Sequence, residues 1–132
     1  MSLLPEDYIG KIYKVRFPYF DSSTKKRKFK ARPMLIIGIE KNNFPCDFVV
    51  LPVSSVSNSD NISREFDKKI TGNDCTLLNL KKDPSYIRIH KQGTANSNDV
   101  DRNGQICDLK QTLPVLYREL NDLSVKFLET LY

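Results

Sequence analysis

The sequence predicts a mainly β protein: a small, strongly bent antiparallel sheet or partly closed barrel, followed by one C-terminal α-helix. Three observations predict it. Short runs of β-branched and aromatic residues recur between turn residues as far as Leu109. The most apolar of them, "MLIIGI" at 34–39, is too short for an ordinary helix and reads as a buried central strand. From Leu113 the apolar period lengthens to helical spacing, through Leu116, Leu120, Leu123, Phe127 and Leu131.

"YIGKIYKVRFPYF" (8–20) alternates through Ile12, Val15 and Phe17 and predicts a first strand opened by Gly10. Pro18 either ends that strand or confines it to a sheet edge. "STKKRKFK" (23–30) places five cations in what reads as a loop over 21–31. Arg32 precedes Pro33, which holds it extended. "EKNNFPC" makes a turn, and "DFVVLPV" (47–53) returns antiparallel to "MLIIGI" as the strongest hairpin of the chain. The polar "SSVSNSDNIS" (54–63) reads as a loop. "TLLNL" (76–80) and "SYIRIHK" (85–91) predict two strands joined by a turn at "KKDP". "QGTANSNDVDRNG" is a loop region with room for a short strand, and "QICDL" (105–109) predicts the last strand. The helix spans about 113–131, with Pro114 in its first turn.

At 132 residues the chain is expected to form one domain, 1–132. No stretch approaches the roughly 20 apolar residues that span a bilayer. "MSLLPEDYIG" lacks the basic start and apolar centre of a signal peptide. No membrane partner and a cytoplasmic location are the expectation. Three cysteines about thirty residues apart, without a C-x-x-C pair, argue against a disulfide framework and a zinc site. The single histidine, His90, weakens a metal centre or a Cys–His hydrolase further. No metal or cofactor is expected, and the thiols read as buried or idle.

The formal net charge of +5 favours a polyanionic partner, nucleic acid or an acidic protein segment. Lys25, Lys26, Arg27, Lys28 and Lys30 carry much of it. They form either a solvated loop or an arm facing phosphates, whose affinity would then depend strongly on salt. Tyr19 and Phe20 flank the cluster, either to stack bases or to pack a core.

"GKIYKVRFP", "ARPMLIIGI", "FVVLPVSS" and "SYIRIHK", in that order and spacing, resemble the MazF/PemK-like toxins of type II toxin–antitoxin systems. The resemblance covers roughly residues 8–132. It implies an SH3-like small barrel and a homodimer. It also implies a metal-independent, sequence-specific endoribonuclease that cuts single-stranded mRNA to leave a 2′,3′-cyclic phosphate and a 5′-hydroxyl. A cognate antitoxin with an acidic disordered segment is the implied protein partner. By the same resemblance Arg32 takes the place of a catalytic arginine and Ser54 that of an active-site Thr or Ser, with Ser55 beside it. Arg88 matches an arginine that contacts phosphate or takes part in catalysis, and His90 stands where those members carry an aspartate. Two stretches depart from the pattern: the family's Gly-Asp/Glu-Ile/Val opening is Gly10-Lys11-Ile12 here, and the loop before Arg-Pro is "DSSTKKRKFK".

The chemistry explains those residue types. Attack by a ribose 2′-hydroxyl on the adjacent phosphorus gathers negative charge on the phosphoryl oxygens. A guanidinium fork matches two such oxygens, and a hydroxyl adds a hydrogen bond that strengthens as charge grows. In the predicted hairpin, Arg32 at the start of one strand and Ser54 at the finish of the next come to the same end of the sheet. Arg88 and His90 share one face of their predicted strand, and an imidazole is a side chain suited to proton transfer. Each residue also has a plainer role. Arg32 can be an exposed pre-proline residue, Ser54 and Ser55 the start of a turn, and Arg88 and His90 a solvated face. Two alternatives accompany the nuclease reading. One is a non-catalytic nucleic-acid-binding barrel of the same fold; the other is a gyrase-targeting toxin like CcdB.

Overall fold

The structure is a computed structural model and describes residues 3–55 and 59–132. It is mainly β, a strongly curled antiparallel half-barrel with a helix at its C-terminal end, as the sequence predicts. Seven strands are described: β1 (Lys11–Asp21), β2 (Lys26–Ile39), β3 (Asp47–Ser54), β4 (Asp67–Ile70), β5 (Ser85–Arg88), β6 (Gly93–Asn96) and β7 (Val100–Asp108). Their order is β4-β5-β3-β2-β1-β7, with β6 attached to β3 off this path. The first half of β3 pairs with β6 (Phe48 with Ala95), and its end pairs with β5 (Ser54 with Tyr86). That change of partner, and register shifts in β1–β7 and β2–β3, accompany the curl.

Both faces of the curled sheet are buried, which explains why "MLIIGI" is apolar without alternation. Met34 and Ile36 pack with Tyr8, Tyr13, Phe48 and Val50 in one core cluster. Leu35 belongs to the other, with Ile12, Leu51, Val53 and Ile87. The second cluster is closed by α3 (Pro114–Glu129), which buries Tyr117 and Leu120 and packs Leu116, Leu123 and Phe127 against the sheet. Phe127 meets Phe66 edge to face at 5.2 Å. Pro114 begins this helix, where its missing N–H leaves nothing unpaired. Leu131, predicted as part of the apolar stripe, lies past the helix end and is exposed. Among the described residues no helix is long and apolar enough to cross a membrane.

Gly10 opens β1 for a steric reason. Its φ is +86°, and a β-carbon there would stand 2.5 Å from Lys110 Cβ. Its N–H donates to Ile36 O at 2.7 Å and its carbonyl accepts from Lys110 N at 2.9 Å, which joins β1, β2 and the short α2 (Leu109–Thr112).

Several expectations are corrected. The basic segment is not a loop over 21–31: residues 26–31 are the first part of β2, and β1 runs unbroken through Pro18 to Asp21 beside them. Alternating cations and aromatics suit a two-stranded ribbon, and Asp21 closes its tip by accepting from Ser23 N and Oγ at 3.0 and 2.7 Å. The edge alternative for Pro18 holds, because β7 leaves β1 at Val15. "TLLNL" contains no strand. Residues Asn73–Leu77 form helix α1, ended by Asn79 at φ +55°. This short apolar run satisfies a helix end as readily as a strand, and Asn tolerates the left-handed residue that stops it. The strand at 85–91 stops at Arg88, and Ile89–Lys91 turn as a 3-10 helix. β4 was not predicted, β6 falls inside the predicted loop region, and β7 begins at Val100 rather than 105. Residues 56–58 of the predicted polar loop lie outside the described residues.

A candidate polyanion cleft

Arg32 and Ser54 line one cleft of about 680 Å³ at the end of the β2–β3 hairpin. Topology brings them there. Met34 pairs with Pro52, so the same antiparallel register continued by two residues sets Arg32 opposite Ser54. Arg32 is exposed, Ser54 half-buried and Ser55, also on the wall, exposed. The opposite wall is the Asn79–Lys82 segment after α1 together with Asn103–Ile106 of β7. Asn79 Nδ2 donates to Ile106 O at 3.4 Å across these two pieces, and the buried Ser85 hydroxyl donates to Lys82 O. The hydroxyl of Tyr13 donates to Gln105 Oε1 at 3.2 Å and holds that amide at the cleft.

Electrostatics distinguish this cleft. Lys14, Arg32, Lys81 and Lys82 line it, and among the described residues no carboxylate does. None of the four cations takes part in an ion pair with a described residue. A concave wall of like charge focuses positive potential and attracts a polyanion. Sequence reasoning missed Lys14, Lys81 and Lys82. Lys14 could have been found, because pairing β1 with β2 sets it opposite Pro33, next to Arg32. Lys81 and Lys82 carried only the signal of a turn.

Arg88 and His90 do not line the cleft. Both turn to Asp67 of β4, whose side chain is fully buried. Arg88 Nε reaches Asp67 Oδ1 at 3.1 Å and Nη2 reaches Oδ2 at 3.4 Å, a two-point contact. Arg88 Nη2 also donates to Asn61 O at 2.7 Å. His90 Nε2 lies 3.4 Å from Arg88 Nη2, and Nδ1 lies 3.4 Å from Asp67 Oδ1. The contact at Nδ1 is not a hydrogen bond, and among the described residues that buried nitrogen has no hydrogen-bond partner. Asp67 further accepts from Ser63 N at 2.8 Å. This is a network that anchors β4 to β5, and period two alone gave no sign of its carboxylate.

The basic residues form an arm. In the β1–β2 ribbon, residues 26–31 are exposed throughout and project beyond the core. Lys28 Nζ binds Asp21 Oδ2 at 2.8 Å and, with the Ser23 contacts, holds that carboxyl well below its ordinary range. Lys30 Nζ sits 4.7 Å over the half-buried Tyr19 ring. Lys25, Lys26 and Arg27 have no ion-pair partner among the described residues, and Phe20 is 68% exposed.

The three cysteines are free. Burial pushes the Cys46 and Cys75 thiols up, and Cys107 rises to about 11, chiefly by burial. Such thiols are poor nucleophiles near neutrality. Among the described residues no group of three or more His, Cys, Asp or Glu stands close enough to hold a metal ion. No protein-family model matches the chain, and no curated protein sequence matches it.

Proposed function

We propose that this protein is a sequence-specific endoribonuclease of MazF/PemK type that cleaves single-stranded RNA in the Arg32–Ser54 cleft. The observation that carries the reading is the shared wall: Arg32 and Ser54, 22 positions apart, line one concavity with Lys14, Lys81 and Lys82 and no described carboxylate. A phosphodiester fits that charge, and a wall of cations disfavours a bound metal ion. In the reaction the ribose 2′-hydroxyl loses its proton and attacks phosphorus, the bond to the 5′-oxygen breaks, and that oxygen takes up a proton. A cyclic phosphate and a 5′-hydroxyl result. Arg32 stabilises the phosphoryl oxygens as charge builds and is the group proposed to exchange the proton; Ser54 adds a hydrogen bond. The basic arm, with Lys25, Lys26 and Arg27 unpaired among the described residues, gives the RNA backbone a second site of contact. The resemblance adds a second copy of the chain and an acidic antitoxin segment as partners.

The test is cleavage of long RNA in EDTA with the ends mapped. Arg32→Ala should abolish cutting with the melting transition unchanged. Ser54→Ala should slow it by about 10²–10³, the effect of losing one charge-stabilising donor. Cutting by Arg32→Ala at the wild-type rate would sink the assignment.

A second reading, a non-catalytic nucleic-acid-binding barrel, is favoured by one feature. The described cleft walls carry no imidazole or carboxylate, and His90 is engaged with Asp67 and Arg88. Salt-sensitive RNA binding without any cleavage would favour this reading.

A further inference from the structure

A second, smaller groove of about 460 Å³ adjoins the cleft. Lys14 and Ala31 belong to the walls of both, so a chain leaving the cleft past Lys14 enters this groove directly. Its remaining walls include Arg16 and Phe29 of the β1–β2 ribbon, Asp99 just before β7 and Asp101 at the start of β7. Phe29 is 53% exposed, and Arg16 Cζ lies over its ring at 4.5 Å from the centroid. The Arg16 side chain is itself 58% exposed.

The two carboxylates differ. Asp99 Oδ1 faces Arg16 Nη2 at 3.5 Å, so its charge is met. Asp101 accepts one hydrogen bond, from Asn103 N to Oδ1 at 3.0 Å, and has no described cation against it. Its Oδ2 lies where a β-carbon on Gly104 would come within 2.9 Å, so glycine there leaves room for the carboxylate. Asp101 is exposed, and beyond its contact with Asn103 N its oxygens keep acceptor capacity for donors on a ligand. Of the four RNA bases, guanine alone presents two adjacent N–H donors, N1–H and N2–H, on its Watson–Crick edge. Adenine, cytosine and uracil each set an acceptor against one of the two carboxylate oxygens.

We propose that this groove is a guanine-reading subsite for single-stranded RNA, resting on the RNA reading of the adjoining cleft. Arg16 on Phe29 stacks the base, Asp101 accepts from its Watson–Crick edge, and Lys14 takes the phosphate between the subsite and the cleft. Stacking on aromatic or guanidinium planes with hydrogen bonds to splayed base edges is how single-stranded RNA is read.

The test incubates the full chain with a randomised single-stranded RNA pool and sequences both the cut ends and the bound fraction. Wild type should enrich guanine at one fixed position. Asp101→Asn replaces one acceptor by a donor and should reduce that enrichment by about 5- to 150-fold, the discrimination carried by a bidentate base contact. Overall binding should persist. Phe29→Ala should weaken binding at that position by a similar factor for every base, since stacking is sequence-tolerant. Wild-type cutting or binding without guanine enrichment, or an unchanged base profile for Asp101→Asn, overturns the subsite and leaves the cleft reading standing. Wild type that neither binds nor cuts any RNA overturns both.

Discussion

Asp67 keeps a carboxylate wholly out of water between two strands, and Arg88 is what makes that tolerable. Removing one partner of a buried pair strands the other charge. Arg88→Ala should therefore cost about 3–5 kcal/mol in a urea titration. A loss below about 1 kcal/mol would mean that the pair is well hydrated. Tyr13 gives a pH prediction. Burial, with smaller contributions from Tyr8 and Asp108, pushes its hydroxyl up to about 12 from the ordinary 10.0. A raised value means that the fold favours the protonated phenol. That stability is complete below pH 10 and is lost as pH rises through 12, up to about 2–3 kcal/mol. Cys107, raised from 9.0 to about 11, starts the decline one unit earlier. Urea midpoints measured from pH 8 to 12 should fall less steeply above pH 10 for Tyr13→Phe than for wild type. Parallel profiles would show that Tyr13 ionises without cost.

The β1–β2 ribbon is the element whose two ends have different tasks. Its inner half supplies Ile12, Leu35 and Ile36 to the core, whereas residues 26–31 contribute no buried side chain. Replacing Lys25, Lys26 and Arg27 together by Ala should leave the melting transition unchanged. It should flatten the log–log salt dependence of RNA binding by up to about 2 units, near 0.7 for each phosphate no longer neutralised. An unchanged slope would make the arm a bystander. "DSSTKKRKFK" thus forms the tip and outer part of an extended ribbon, legible as basic but not as β. Its strand character depends on pairing with residues 16–21 across a tight turn at 22–25. α3 shows the opposite case, because its stripe is local and 3.6-periodic. Leu120→Ala should cost about 2–5 kcal/mol, measured by denaturant titration. A cost under 1 kcal/mol would mean that the helix lies loosely on the sheet.

At the scale of the molecule, curling decides where charge collects. Four cations from β1, β2 and the segment after α1, unpaired among the described residues, converge on one concavity. The exposed ion pairs Lys68–Glu119 and Lys126–Glu65 link the β4 region to α3 elsewhere. Those surface pairs are worth little in stability. The cleft cations oppose folding slightly by mutual repulsion, a cost that a bound polyanion would offset. A polyanion such as heparin should therefore raise the melting temperature of wild type and raise it markedly less for a Lys14, Lys81, Lys82 triple alanine variant. An equal shift for both would place the polyanion site outside the cleft.

The sequence by itself determined the fold class, the β2–β3 hairpin, the amphipathic helix and the meeting of Arg32 with Ser54. All rest on short-range patterning or on the register of adjacent strands. Only the tertiary structure decided that Lys81 and Lys82 join those two residues, that Asp67 claims Arg88 and His90, and that Asp101 shares a groove with an arginine stacked on Phe29. The physical reason is sequence distance. A cross-chain contact is fixed by how the sheet curls and which strands pair, and neither leaves a periodic mark on the residues that meet.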